Sequence, residues 1–445
     1  MELEAMNIFH LRHRWETAGN DEPDLRQTMC RLELQIGDVL LTENEDIFSQ
    51  TISPSVLVSA YPLAQWFAAN WWRLTSEPLP PTIRPLTSWR MAHEIGAANS
   101  GYVWPQILFA TDREVMQVWA APSRGNREQS VRYLNGLTAP VALSMLEFEK
   151  NVELFIQSVI ARLAATGLHD TSLKLLWDEV LEERRDAETS SARRCEAELG
   201  YDPDECPDDI LSTAIRLKSQ MGEATLSELT PVYGKSEIST SIYDLDTLIK
   251  SEGIPGSPAL PKIRARESKS MAPWERAVED ARLLRKELHN TGDRVSTEDL
   301  YSLLGIRKQD AEHYNGKTGS KVAIAVPGKG RQIAFMPRRR HPRSKRFELA
   351  RFIGDIVYTH SAGGEWLAST DLSTSRQKYQ RAFAAEFLCP IENLTGFLED
   401  DFSEDRLEDA AEHFEISPET VNSLLANNAL IYRTHGLSGL PYTIA

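Results

Sequence analysis

Six side chains in the C-terminal part of this chain have the types and spacing to do chemistry together. Glu348, Arg351 and Asp355 stand three and four residues apart, a spacing that places them on one face of a helix. Tyr379, Arg381 and Glu386 follow on a second helical stretch. Two arrangements fit these residue types. In the first, Arg351 and Asp355 pair with each other and close the space between the helices. In the second, all six line a polar pocket: Glu348, Asp355 and Glu386 offer oxygen ligands to a hard cation, and Arg351 and Arg381 hold an anionic substrate. Phosphoester hydrolysis is the natural reaction of such a pocket. Its weakness is that a guanidinium beside the carboxylates competes with any metal.

A second candidate is electrostatic. Arg338, Arg339, Arg340, Arg343, Lys345 and Arg346 crowd into PRRRHPRSKR, the most basic stretch of an otherwise acidic chain. Arginine forks suit phosphate and carboxylate. The cluster points either to nucleic acid or to an acidic surface, of this protein or of a partner.

The two helical stretches read RSKRFELARFIGDIV and RQKYQRAFAAEFLCP. Together they resemble the ImmA/IrrE-type zinc metallopeptidases, over about residues 320–430. In that family an Arg-Arg-Phe-x-x-Ala segment leads into His-Glu-x-x-His, and a second helix carries acidic residues before Phe-Ala-x-x-Leu-Leu-x-Pro. Arg346, Phe347 and Ala350 match the lead-in, and Gly354 stands at a family glycine. Phe383, Ala384, Ala385, Glu386, Leu388 and Pro390 match the second frame. The chemistry departs from the pattern. Arg351 and Asp355 occupy the histidine positions, Phe352 the glutamate position, and Gln377 and Tyr379 the acidic positions, one of which supplies the last zinc ligand. His-Glu-x-x-His works because residues i and i+4 grip zinc from one helix face while the glutamate takes a proton from bound water. A guanidinium cannot ligate zinc and a phenyl ring cannot be a base. The resemblance therefore implies a zincin-like fold without metal or cofactor. His341, His360 and His413 are the only substitute ligands considered for a zinc peptidase, and none has the helical spacing.

The whole chain reads as α+β and mostly helical. Its 445 residues suggest two to four domains. The net charge of −16 argues against coating nucleic acid by charge alone. Cys30, Cys195, Cys206 and Cys389 form no Cys-x-x-Cys pair and look like reduced thiols of a cytoplasmic protein. No apolar run is long enough for a signal peptide or a membrane span, so a membrane partner is not expected.

Residues 1–135 read as a Trp-rich α+β domain. It holds Trp15, Trp66, Trp71, Trp72, Trp89, Trp104 and Trp119, for a core or, for one or two of them, a binding face. RLELQIGDVLLTENED alternates as a strand, SVLVSAYPLAQWFAANWWRL as an apolar helix, and QILFATDREVMQVWAAP as a hairpin. The AHEIGA stretch at 92–97 holds His93 and Glu94 but lacks the second histidine of a zinc motif; nearby Asn99, Ser100 and Tyr102 could join them on a ligand. Residues 136–252 read as a helical domain. An acidic turn from Tyr201 to Asp209 lacks the order of a calcium loop and suits a helix cap at Asp208. Residues 253–273 read as a linker, and 274–445 as the peptidase-like domain. That last part starts with strands VAIAVPG and RQIAFMP about a Gly-Lys-Gly turn without Walker spacing. It ends in a helix-turn-helix-like segment with Leu407, Ala411, Val421, Leu424 and Leu425. The second of those helices has no Arg or Lys for base reading; Asn422, Asn427 and Asn428 are its polar candidates.

These readings imply a non-catalytic regulator, a sensor or adaptor for a protein partner. Nucleic acid is a possible second ligand through Arg338–Arg346, and the family suggests a mobile-element or phage-defence setting. The nuclease-like hydrolase and the zinc peptidase are the alternatives.

Overall fold

The computed structural model describes residues 9–19, 22–82, 84–124, 129–235, 241–261, 263, 271–289, 294–316, 319–360 and 365–431. The chain is mixed α+β, with helix outweighing strand. It divides into two compact units, one built on residues 1–211 and the other on 212–233 and 237–436.

In the first unit the strand Met29–Ile36 buries every second side chain, the pattern its alternating sequence predicts. It pairs antiparallel with Phe9–Trp15 along its length and with Val56–Ser59 at one end. The expected hairpin is present, with Gln106 opposite Ala121 and Thr111 opposite Met116. The apolar run at 55–74 is not one helix. Val56–Ser59 is a strand, the β-branched valines favouring it. Ser59 then caps the helix Ala60–Ala69 by accepting from the Tyr61 amide, and Trp71–Ser76 is a separate short helix.

The helices expected to form a middle domain do not stand apart. Met145–Ala165 buries Phe148, Val152, Phe155, Ile156, Val159 and Leu163. That stripe joins Phe9, Phe67, Phe109 and Trp177 in one core with the N-terminal strands. An amphipathic helix has to bury its stripe somewhere, and the open sheet face supplies the partner. Leu146, at the edge of the stripe, is exposed. Of the seven N-terminal tryptophans five are buried, while Trp15 and Trp119 are half-buried and packed against core clusters. His93 is fully buried: Nδ1 meets the Phe109 carbonyl at 2.8 Å and Nε2 meets Glu77 at 3.1 Å. Glu94 is taken by Arg90 through two hydrogen bonds. Both residues of the AHEIGA stretch have structural roles.

The second unit is built on a four-stranded antiparallel sheet and three long helices. In chain order these are β1 (Ile254–Gly256), α1 (Pro273–Glu287), β2 (Ala323–Pro327), β3 (Ile333–Met336), α2 (Pro342–Tyr358), β4 (Leu367–Ser369) and α3 (Ser375–Leu388). The strand order is β1-β3-β2-β4. β1 lies where a linker was expected. Pro255 is tolerated because the strand is at the sheet edge, and part of the linker stretch, 262 and 264–270, lies outside the described residues. β2 and β3 form the expected pair, with Ile324 opposite Met336. α3 packs against both α1 and α2. At the α2–α3 crossing a Cβ on Gly354 would come within 2.9 Å of the Phe383 ring, so the helices approach this closely only because that residue is glycine. Phe352 is fully buried and its ring lies 5.5 Å from that of Phe335 on β3. The helices Glu404–His413 and Pro418–Asn427 follow, with Ser417 capping the second. Their apolar faces, Ala411, Val421, Leu424 and Leu425 among them, enter the same core.

Candidate functional site

Where α2, β4 and α3 meet, the structure buries a set of ion pairs and amides. Asp355, on α2, has no exposed surface. Its carboxylate does not pair with Arg351. It accepts two hydrogen bonds from Arg376 on α3, Nε to Oδ1 at 2.6 Å and Nη2 to Oδ2 at 2.7 Å, and a third from the Ala368 amide of β4 at 3.1 Å. Burial works against the charge of Arg376, but the Asp355 carboxylate more than offsets it and holds the guanidinium proton tighter than usual. The expected Arg351–Asp355 pair is therefore replaced by a fork-to-fork clamp between two helices, the stronger geometry.

Arg351 is left without a carboxylate of its own. Its Nη2 donates to the Thr370 carbonyl and to Gln377 Oε1, both at 2.7 Å, and its buried Nε has no partner. Burial, reinforced by Arg381 and Arg338 nearby, disfavours its charged form; Glu348 and Asp371 offset part of that. Gln377 ties the set together. It also accepts from the Thr370 amide at 2.8 Å and donates to Glu228 at 3.0 Å and to the Ala368 carbonyl at 3.1 Å. Thr374, the cap of α3, donates to the same Glu228 oxygen at 2.6 Å.

The other members of the expected polar pocket are held elsewhere. Glu348 accepts from Arg338 Nε at 2.5 Å and from the Arg339 amide at 3.0 Å, and Arg338 grips Asp371 with its two remaining nitrogens. Tyr379 donates to Asp280 on α1 at 2.6 Å. Glu386 accepts from Arg282, also on α1, at 2.7 Å. Arg381 donates to the Leu372 carbonyl at 2.9 Å. Glu348, Asp355 and Glu386 thus each face a different arginine and do not converge on one point. Among the described residues no three His, Cys, Asp or Glu side chains come together as a metal site. Of the three candidate substitute histidines, His341 stands just before α2 without a side-chain bond to its amides, His360 follows its end with φ of 51°, and His413 ends a later helix stacked on Phe397.

The basic stretch splits in two. Arg338 belongs to the buried set. Arg346 is also buried, donating to Thr297, to Glu415 and to the Val295 carbonyl. Lys345 donates to the carbonyls of Ala311 and Tyr314 at 3.0 and 2.9 Å. Arg339 and Arg340 are exposed and Arg343 is half-buried. Arg340, Arg343, Lys345 and Arg346 share the wall of a cleft of about 460 Å³ at the start of α2. Sequence reasoning named these cations, but Arg376, Glu228, Asp371 and Asp280 carried no signal. Each is distant in sequence from its partner, and the tertiary fold alone brings them together.

No family model, curated protein or solved structure matches the chain.

Proposed function

We infer that this protein is a non-catalytic regulator: a pseudo-peptidase of the ImmA/IrrE type that serves as a sensor or adaptor for a protein partner, with nucleic acid as a further ligand. The observation that carries this reading is the Asp355–Arg376 clamp beside Arg351. The two positions that resemble zinc-binding histidines hold an arginine and an aspartate, and the aspartate's oxygens are occupied by protein donors. The order of elements supports the frame, a short antiparallel sheet leading into α2, then β4 and α3, then three short helices among the described residues. The four described cysteines are buried free thiols, which fits a reducing cytoplasm. Among the described residues no helix is long and apolar enough to cross a membrane. The mobile-element or phage-defence setting follows from the resemblance alone.

Two assays test the reading on the full chain. The first incubates the protein with an unfolded polypeptide in the presence of zinc; the expected result is no cleavage, and chelator-sensitive cleavage would overturn the non-catalytic part. The second measures binding to DNA and RNA at two salt concentrations, for the native chain and for a triple Arg339→Glu, Arg340→Glu, Arg343→Glu variant. Binding that weakens with salt and is lost in the variant is expected. Binding indifferent to the substitutions would remove nucleic acid as a ligand of this surface.

A further inference from the structure

The cleft at the start of α2 combines three features that act on an anion. The first is charge. Arg340, Arg343, Lys345 and Arg346 line it, against the carboxylates of Glu312 and Glu415. Glu415 is already neutralised, 3.0 Å from Arg346 and 3.4 Å from Arg294. Lys345 is held by two carbonyl oxygens rather than a carboxylate, so its charge adds to the field of the cleft. In a chain of net charge −16, a concave surface with excess positive charge stands out as a place where an anion is favoured.

The second feature is the helix end. α2 is 17 residues long, begins with Pro342, has no acidic residue in its first turn and no side chain capping its amides. The amides of Arg343 and Ser344, the first that α2 presents, are without a capping side chain, and the helix dipole puts partial positive charge there. Arg343 and Lys345 stand in this first turn and Arg346 opens the next, and all three line the cleft. Phosphate is a ligand that both an uncapped helix start and arginine forks recognise.

The third feature is a fixed, shaped wall. Arg346 is nine-tenths buried and pinned by Thr297, Glu415 and Val295, while its Nε, also buried, has no partner. Tyr301, on the helix Thr297–Leu304, adds a half-buried aromatic ring to the lining of the cleft. A volume of about 460 Å³ lies within the range of small-ligand pockets, about 300–1,000 Å³.

We propose that this cleft binds a phosphate monoester carried on a nucleoside, the phosphate over the start of α2 beside Arg343 and the base against Tyr301. The nucleoside phosphate comes either free or as the 5′ end of a nucleic acid strand. This deepens the nucleic-acid part of the proposed function and is independent of the zinc-site argument.

The test is calorimetric titration of the full chain with adenosine monophosphate, adenosine and inorganic phosphate. It is repeated with a 5′-phosphorylated and a 5′-hydroxyl single-stranded oligonucleotide of one sequence. The monophosphate is expected to bind at least tenfold tighter than adenosine, and Arg343→Glu to weaken it at least tenfold. Tyr301→Ala is expected to weaken the monophosphate but not inorganic phosphate. A tenfold preference for the phosphorylated oligonucleotide assigns the site to strand ends; binding of the monophosphate without that preference assigns it to free nucleotides. Equal affinity for monophosphate and adenosine, or an Arg343→Glu variant that binds unchanged, would overturn the proposal. Oligonucleotides that bind regardless of their 5′ phosphate, while the monophosphate does not, would overturn it and leave the proposed function standing.

Discussion

The two ends of one helix show opposite uses of arginine. Deep in α2, Asp355 is clamped by Arg376, and Arg351 rests on Gln377 and Thr370. Around this set Arg338, Arg351, Arg376 and Arg381 stand with the buried acids Glu228, Glu348 and Asp355 and with the half-exposed Asp371, four charges of each sign. At the start of the same helix, Arg340 and Arg343 line an open cleft where cations exceed acids and the backbone amides have no side-chain cap. The interior uses arginine as a structural cation with fixed partners. The cleft keeps Arg340 and Arg343 at the solvent boundary. The lesson is that position along the helix, not residue type, sets the burial of an arginine: Arg343 is half-buried, and Arg346, about one turn on, is buried in the cleft wall.

The contrast yields a graded set of expectations. Asp355→Ala strands the Arg376 charge in the interior. It is expected to cost about 3–5 kcal/mol of stability, measured by urea unfolding. A loss below about 1 kcal/mol would mean that water reaches the clamp. Arg351→Met removes a buried cation that has no carboxylate partner and keeps its volume. Relief of desolvation opposes the lost donor to the Thr370 carbonyl, so the net change is expected to stay within about 1.5 kcal/mol; a loss as large as that of Asp355→Ala would make Arg351 a full member of the clamp.

The third expectation concerns acid. Burial raises the Asp371 pKa, but the hydrogen bond and charge of Arg338 outweigh it and hold the carboxyl below its ordinary value of 3.8. A depressed carboxylate contributes stability above its unfolded pKa, and that contribution is lost as pH falls through the lower folded value. The native chain is therefore expected to lose more stability below about pH 4 than an Asp371→Asn variant. Parallel acid-unfolding curves would contradict this. Least of all, Arg343→Glu at the cleft is expected to change stability by no more than about 0.5 kcal/mol, in a thermal melt, while weakening phosphate binding as described above.

Much of this architecture is legible locally. The 106–121 hairpin follows from alternation, and the Ser296 capping box, with Asp299 returning the bond, follows from residue types three apart. Glu348, Arg351 and Asp355 do share a buried face of α2, as their spacing requires. What spacing cannot tell is which arginine Asp355 chooses. Arg351 is four residues away on the same helix, yet Arg376, across the α2–α3 crossing, presents the better fork. The crossing that decides this depends on Gly354 and Phe383, a contact set by tertiary packing. The basic stretch shows the same limit. Six cations in a row look alike in sequence, and only the fold reveals that Arg338 and Arg346 are committed to Glu348, Asp371 and Glu415. The strand at 56–59 was legible in principle, since two valines and a capping serine precede the helix, but a continuous apolar run hid the boundary.

The most direct test of the central claim is the zinc stoichiometry of the full chain. The protein would be produced in zinc-supplemented medium, analysed for bound metal, and melted with and without a chelator. An internal Asp355–Arg376 clamp predicts less than one-tenth zinc per chain (roughly background) and a melting temperature unaffected by the chelator. One zinc per chain, lost in Asp355→Ala and stabilising the fold, would contradict it.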